Sequence, residues 1–145
     1  MNIVAVTDGN VQDWAVLCNE LWPDNPVDEM MTAYANGEYT NEFLYQLDGV
    51  YAAFISLSLR HDYVEGKEDD NPVGYIEGIY VREAYRNRGI ARELVSFARQ
   101  WSSEQGCTML ASDCSLDNAL SRLFHRHTGF LEVGINVHFK MDLRA

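Results

Sequence analysis

The sequence predicts one mixed α/β domain, a central mixed sheet flanked by about four helices, on three observations. The chain is 145 residues long, which suits a single core. Runs of period-two and of helical spacing interleave along it in the order β-α-α-β-β-β-α-β-α-β-β. The stretch from Gly74 to Gln105 joins a strand to a helix through a short basic turn, the unit that builds parallel strand pairs.

Asn2 to Val6 alternates and forms the first expected strand. Asp8-Gly9-Asn10 is a turn able to cap the next helix, from about Val11 to Trp22. Val11, Trp14, Ala15, Cys18, Leu21 and Trp22 share its apolar stripe, and Pro23 ends it. Pro26 suits the first turn of a second helix that closes near Asn36-Gly37. Glu42 to Leu47 and Val50 to Leu59 flank Asp48-Gly49, a two-residue hairpin turn. Arg60 to Asn71 reads as a polar loop.

In the next strand Val73, Tyr75, Glu77, Ile79 and Val81 share one face, with Ile76 and Tyr80 on the other. Gly78 marks a bulge near Glu77. After the turn Arg82 to Gly89, a helix carries Ala91, Leu94, Val95, Ala98 and Trp101 on its buried stripe, and Gly106 ends it. Thr108 to Asp113 reads as a short strand parallel to the Gly74 strand. Leu116, Ala119, Leu120, Leu123 and Phe124 make a last helical face, stopped at Gly129-Phe130. Leu131 to Val133 and Ile135 to Asp142 are expected to close the chain as strands.

The formal charge is −11, and its distribution is lopsided. Residues 1 to 59 contain nine acids and neither Lys nor Arg. Arg82, Arg86, Arg88, Arg92 and Arg99 cluster within one short stretch. One segment is therefore suited to an anion and the rest to a cation. Most of this surface repels a phosphate backbone, so nucleic acid is not an expected partner. No apolar run is long enough to cross a membrane and no basic-then-apolar leader opens the chain, so a cytoplasmic location is expected. Cys18, Cys107 and Cys114 are odd in number and lack metal spacing, so no metal is expected and the thiols read as reduced.

The turn carries R-x-x-G-x-A at Arg86, Asn87, Arg88, Gly89, Ile90 and Ala91. It lacks the Gly-Lys-Ser/Thr ending of a P-loop and the three glycines of a dinucleotide fingerprint. Between a strand and a helix, this pattern resembles the acyl-CoA pyrophosphate loop of the GNAT N-acetyltransferase superfamily. The resemblance implies a sheet splayed at the bulge and acetyl-CoA as co-substrate in the resulting cleft. The backbone of Ile79, Tyr80 and Val81 is then expected to pair with the pantetheine arm. Arg86 and the amides of Arg88, Gly89, Ile90 and Ala91 are expected to hold the pyrophosphate. Asn118 matches the family's asparagine beside the cofactor.

A narrower resemblance rests on Pro72 to Val81, Ala111-Ser112-Asp113, Leu116-Asp117-Asn118, Asp13-Trp14 and Leu21-Trp22. These stretches are similar to bacterial aminoglycoside 6'-N-acetyltransferases, in which homodimers are expected. The resemblance implies substrate contacts at Trp22, Tyr63, Glu77, Asp113 and Glu132. Carboxylates recognise ammonium groups through charge-assisted hydrogen bonds, and aromatic rings cover sugar faces, so these residue types suit a polycationic drug. Glu77 and Asp113 are the candidates to take the amine's proton. Relatives often place a tyrosine in the terminal strand as general acid; His138 stands there in this chain. The leading reading is acetylation of an aminoglycoside 6'-amine, conferring resistance. A polyamine or other small cationic metabolite is an alternative acceptor, and a non-catalytic binding module is a reading of another class. Glu77 paired with an arginine, Asp113 as a helix cap and Trp22 as core are the corresponding structural readings.

Overall fold

A computed structural model describes residues 2–144. Its sheet has five strands in the order β1-β2-β3-β4-β5. These are β1 (Ile3–Ala5), β2 (Glu42–Leu47), β3 (Val50–Arg60), β4 (Val73–Val81) and β5 (Leu110–Ala111). Neighbours are antiparallel except β4 and β5, which are parallel as the crossover required. The helices are α1 (Val11–Leu21), α2 (Val27–Ala35), α3 (Ile90–Glu104) and α4 (Ala119–His127), with a short 3-10 turn at Glu83–Tyr85.

Helices α1 and α2 cover one sheet face, where Trp14, Leu17, Met30, Leu44 and Phe54 form a buried cluster. Helix α3 covers the other, with Leu94, Val95 and Ala98 against Ile55, Leu57 and Ile76. The hairpin between β2 and β3 turns at Asp48 and Gly49, both at positive φ, in keeping with the expected two-residue turn. Asn10 is the N-cap residue of α1, but its side chain does not cap the helix. Asn10 Oδ1 instead accepts from the Thr7 amide at 2.7 Å, and its amide group donates to the Ala5 carbonyl. The side chain therefore closes the loop behind it.

Three expectations are corrected. Arg60 belongs to β3, in register with Val73, and does not open the loop. The strand predicted over Thr108 to Asp113 is reduced to Leu110–Ala111, since β4 offers it pairing at Gly74 and Tyr75 alone. The closing strands predicted at Leu131 to Val133 and Ile135 to Asp142 do not form, and the chain from Leu131 to Arg144 is exposed and outside the sheet. Alternation predicts what a segment does once it has a neighbour; it does not supply one.

Candidate active site

The site begins with the bulge. Across β3 and β4, Ser56 faces Gly78 while Leu57 faces Ile76, so Glu77 is the extra residue. That residue reverses the strand's parity. Ile79 and Val81 join Ile76 on the α3 face, while Tyr80 packs on the α1 face beside Phe54. The single face read from sequence for Val73 to Val81 is therefore broken in the middle. The bulge also parts the sheet. Among the described residues, β4 pairs with β5 only at Gly74 and Tyr75. Past Tyr75 that edge is open, and Ile79, Tyr80 and Val81 line it.

The open edge runs into the basic turn. Asn87 and Gly89 both take left-handed backbone, at φ 64 and 80. That conformation suits glycine and turns the chain sharply into α3. Glu93 N donates to the Gly89 carbonyl at 3.0 Å, the first bond of the helix. The amides of Ile90, Ala91 and Arg92 therefore leave its end without helical acceptors, where the dipole favours an anion. Arg88 lies 5.4 Å from the Tyr85 ring centre. Arg86 Nε donates to the Val81 carbonyl at 2.8 Å, which holds its guanidinium at the end of β4. Arg82 is bound by Glu20 of α1 at 2.8 Å.

On the α1 face lies a cleft of about 710 Å³ lined by Trp22, Asn25, Glu38, Tyr39, Thr40, Asn41, Glu42, Ser56, Ser58 and Glu77. Trp22 reaches this cleft because residue 78 is glycine: a Cβ there would sit 2.5 Å from the indole. The ring also meets Phe54 edge-on at 5.7 Å, so Trp22 is at once packed and cleft-lining. Glu77 takes a paired contact from Arg60, Nη2 to Oε1 at 2.8 Å and Nε to Oε2 at 3.0 Å. Ser58 donates to the same carboxylate at 2.5 Å.

Asp113 joins this network through Tyr75, whose hydroxyl donates to it. Arg60 stacks 3.4 Å above the Tyr75 ring, so one guanidinium links the Glu77 and Asp113 branches. Burial, and then the Asp113 contact, pushes the Tyr75 phenol well above its usual range. The other expected residues lie elsewhere. Tyr63 is exposed and donates to Glu65 at 3.3 Å. Glu132 binds Arg122 at 2.8 Å and Arg126 at 3.4 Å on α4, and these cations hold its carboxyl down at about 2. Asn118 caps α4, accepting from the Ser121 amide at 3.1 Å. His138 sits in the exposed C-terminal segment, with no hydrogen bond to Glu77 or Asp113.

Sequence reading missed Arg60, Ser58, Tyr75 and Glu42. The first two carried a signal: Ser56, Ser58 and Arg60 continue the alternation of β3 on its polar face. Glu42 is nearly fully buried, accepting from the Trp14 indole at 2.9 Å and the Ser56 hydroxyl at 2.7 Å. Burial pushes its carboxyl up to about 7 despite those two bonds, and the charge of Glu77 adds to the effect. Only the fold shows that this strand-end acid lies in the cleft wall.

A sheet parted at a bulge, with a basic helix N-terminus at one end of the gap and an acidic cleft on one face, is the frame of an acyl-CoA-dependent transferase. The profile of the Acetyltransferase (GNAT) family matches residues 9–130, and the chain belongs to that family. Aminoglycoside N(6')-acetyltransferase type 1 of Acinetobacter haemolyticus is 37% identical over 145 residues, covering 99% of each chain. The crystal structure of the 6'-N-acetyltransferase AAC(6')-Ih from Acinetobacter baumannii superposes with a TM-score of 0.89 at 33% identity, covering 99% of both chains. AAC(6')-Iy in complex with the bisubstrate analogue CoA-S-monomethyl-acetylneamine superposes with a TM-score of 0.86 at 32% identity, covering 97% of both.

Proposed function

We propose that this chain transfers the acetyl group of acetyl-CoA to the 6'-amine of aminoglycosides, by direct attack of the amine within a ternary complex, and so confers resistance. The observation that carries the reading is the meeting of two unlike subsites at the Glu77 bulge. The open β4 edge at Ile79, Tyr80 and Val81 suits an extended amide-bearing arm, and the free amides and arginines beyond it suit a pyrophosphate. The cleft of Trp22, Glu38, Glu42 and Glu77 suits a sugar bearing several ammonium groups.

In this reading the cofactor lies along Ile79, Tyr80 and Val81, with its pyrophosphate at Arg86, Arg88, Gly89, Ile90 and Ala91 and its far end near Asn118. Trp22, Glu77 and Asp113 meet the acceptor; Tyr63 and Glu132, which the family resemblance adds, reach it only by leaving Glu65 and the α4 arginines. The attacking amine must first lose a proton, and Glu77 or Asp113 takes it directly or through water. The neutral amine adds to the thioester carbonyl, a backbone amide near the thioester stabilises the oxyanion, the now cationic nitrogen gives its second proton to solvent, and the C–S bond breaks to leave the amide and the CoA thiolate. The leaving thiolate takes a proton, for which His138 is the candidate donor. Positioning of two bound substrates supplies much of the acceleration. A cytoplasmic location, where acetyl-CoA is made, and a homodimeric state complete the proposal.

The test follows CoA thiol release from acetyl-CoA with a kanamycin-type drug bearing a 6'-amine, beside one bearing a 6'-hydroxyl. Controls correct for Cys18, Cys107 and Cys114. Release with the amine alone supports the proposal. Release with polyamines in preference to both drugs overturns the acceptor. Binding of both ligands without any release overturns catalysis.

A further inference from the structure

Two carboxylates of the cleft hang from one strand. Ser56 and Ser58 project from the same face of β3, two residues and so about 7 Å apart. The Ser58 hydroxyl donates to Glu77 at 2.5 Å, and the Ser56 hydroxyl donates to Glu42 at 2.7 Å. Glu77 has a counter-ion, the Arg60 guanidinium. Glu42 is only 4% exposed, and its other side-chain partner is the neutral Trp14 indole. A carboxylate buried to that depth ordinarily has a cation beside it.

What faces Glu42 is acidic or neutral from every side. Cys18 lies toward it from α1, Glu38 and Tyr39 from the loop before β2, and Glu77 from β4. A second hollow of about 350 Å³ meets the cleft at Tyr39, Thr40 and Glu42, and adds Asp8. Among the described residues, neither hollow has a Lys, Arg or His in its wall. The cation that matches this carboxylate therefore comes with a ligand, and the 710 Å³ cleft has room for one. The Ser56 hydroxyl serves both charge states, since it donates to a carboxylate and accepts from a carboxyl without moving its oxygen. Burial, helped by the Glu77 charge, keeps the proton on Glu42 up to about pH 7 in the empty cleft.

We propose that Glu42 is a specificity-determining residue switched by the acceptor: a carboxyl in the empty cleft, it gives its proton to solvent when an aminoglycoside enters and binds, as carboxylate, an ammonium group other than the one that reacts at Glu77. No covalent bond of the drug changes in this step; one proton passes from a Glu42 oxygen to water. The spacing set by Ser56 and Ser58 suits amines on neighbouring rings, so the residue favours acceptors with two or more cationic centres over monoamines. The inference takes its ligand from the acetyl-transfer reading above, but it is read from binding and not from turnover.

Calorimetry of the full chain with a kanamycin-type drug at pH 7, in two buffers of unlike ionisation enthalpy, counts the protons exchanged on binding. The drug's own amines contribute alike in the parent and in Glu42→Gln, so the difference reads Glu42. The parent is expected to release about half a proton more than the variant, the protonated share of a group that titrates near 7. The drug KM is expected to rise about tenfold more between pH 8 and pH 6 in the parent than in Glu42→Gln, with the acetyl-CoA KM level in both. If Glu42→Gln does not fold, Ser56→Ala takes its place. Loss of that hydroxyl makes Glu42 hold its proton more tightly, so proton release at pH 7 is expected to grow, and unchanged release overturns the inference. Equal proton release in parent and Glu42→Gln, with drug bound by both, overturns it and leaves acetyl transfer standing, which thiol release on the same preparation decides separately. A parent that binds no drug overturns it together with the acceptor reading.

Discussion

The Glu77 carboxylate is held at both oxygens by the Arg60 guanidinium, which in turn lies flat on the Tyr75 ring. The carboxylate best placed to meet an ammonium group thus already has a cation. Both side chains are partly exposed, so the pair is worth no more than about 1 kcal/mol. An incoming polycation displaces it at small cost. Arg60→Met is expected to tighten binding of an aminoglycoside about threefold to fivefold at low salt, with the gain shrinking at high salt. Calorimetry at two ionic strengths reads this directly. Weaker binding at both salts would mean that Arg60 instead orients Glu77.

Glu77→Gln and Asp113→Asn keep shape and remove charge. If these carboxylates take the amine's proton, each lowers kcat by about 10²-fold or more while acetyl-CoA affinity is unchanged. Steady-state kinetics beside cofactor titration separates the two quantities. Full turnover in both variants removes them from proton transfer and leaves positioning as the source of rate.

Glu42 links the cleft to stability. Its carboxyl is raised to about 7 in the folded chain by burial, so the folded state holds a proton that the unfolded chain releases near 4.5. This group's contribution to stability is therefore present below about pH 4.5 and lost as pH rises through 7. The loss amounts to roughly 2–4 kcal/mol. Glu20, Asp69, Glu132 and Asp142 are shifted the other way and gain with pH, so the test is a comparison. Urea midpoints at pH 5 and pH 8 are expected to diverge between the parent and Glu42→Gln, the variant gaining at pH 8. A parallel pair of pH curves would show that Glu42 stays ionised throughout.

Gly78→Ala places a methyl group 2.5 Å from the Trp22 indole, inside van der Waals contact. Either the ring moves or the β3–β4 pair does. A loss of about 1–3 kcal/mol in stability is expected, with weaker acceptor binding and little change at the cofactor loop. Tryptophan fluorescence and a denaturation curve report the two parts. An unperturbed indole with normal drug affinity would remove Trp22 from the cleft wall.

Much of the frame was legible in the residues themselves. Trp14, Ala15 and Cys18, or Leu94, Val95 and Ala98, announce their helices because helical periodicity is a property of one segment. The turn from Arg86 to Ala91 was equally local: charge, glycine and helix start stand side by side in sequence. Residue identity alone also set the acidic first 59 positions against the arginine cluster.

What tertiary structure decided were relationships between segments. Parity across the bulge, the Arg60–Glu77 pair and the burial of Glu42 under Trp14 each depend on register between strands far apart in the chain. A side chain's partner is chosen by that register, which no single segment encodes. The C-terminal segment is the clearest case. Its alternation is written in residues 131–144, but a strand also needs a neighbouring edge, and this segment lies exposed and outside the sheet.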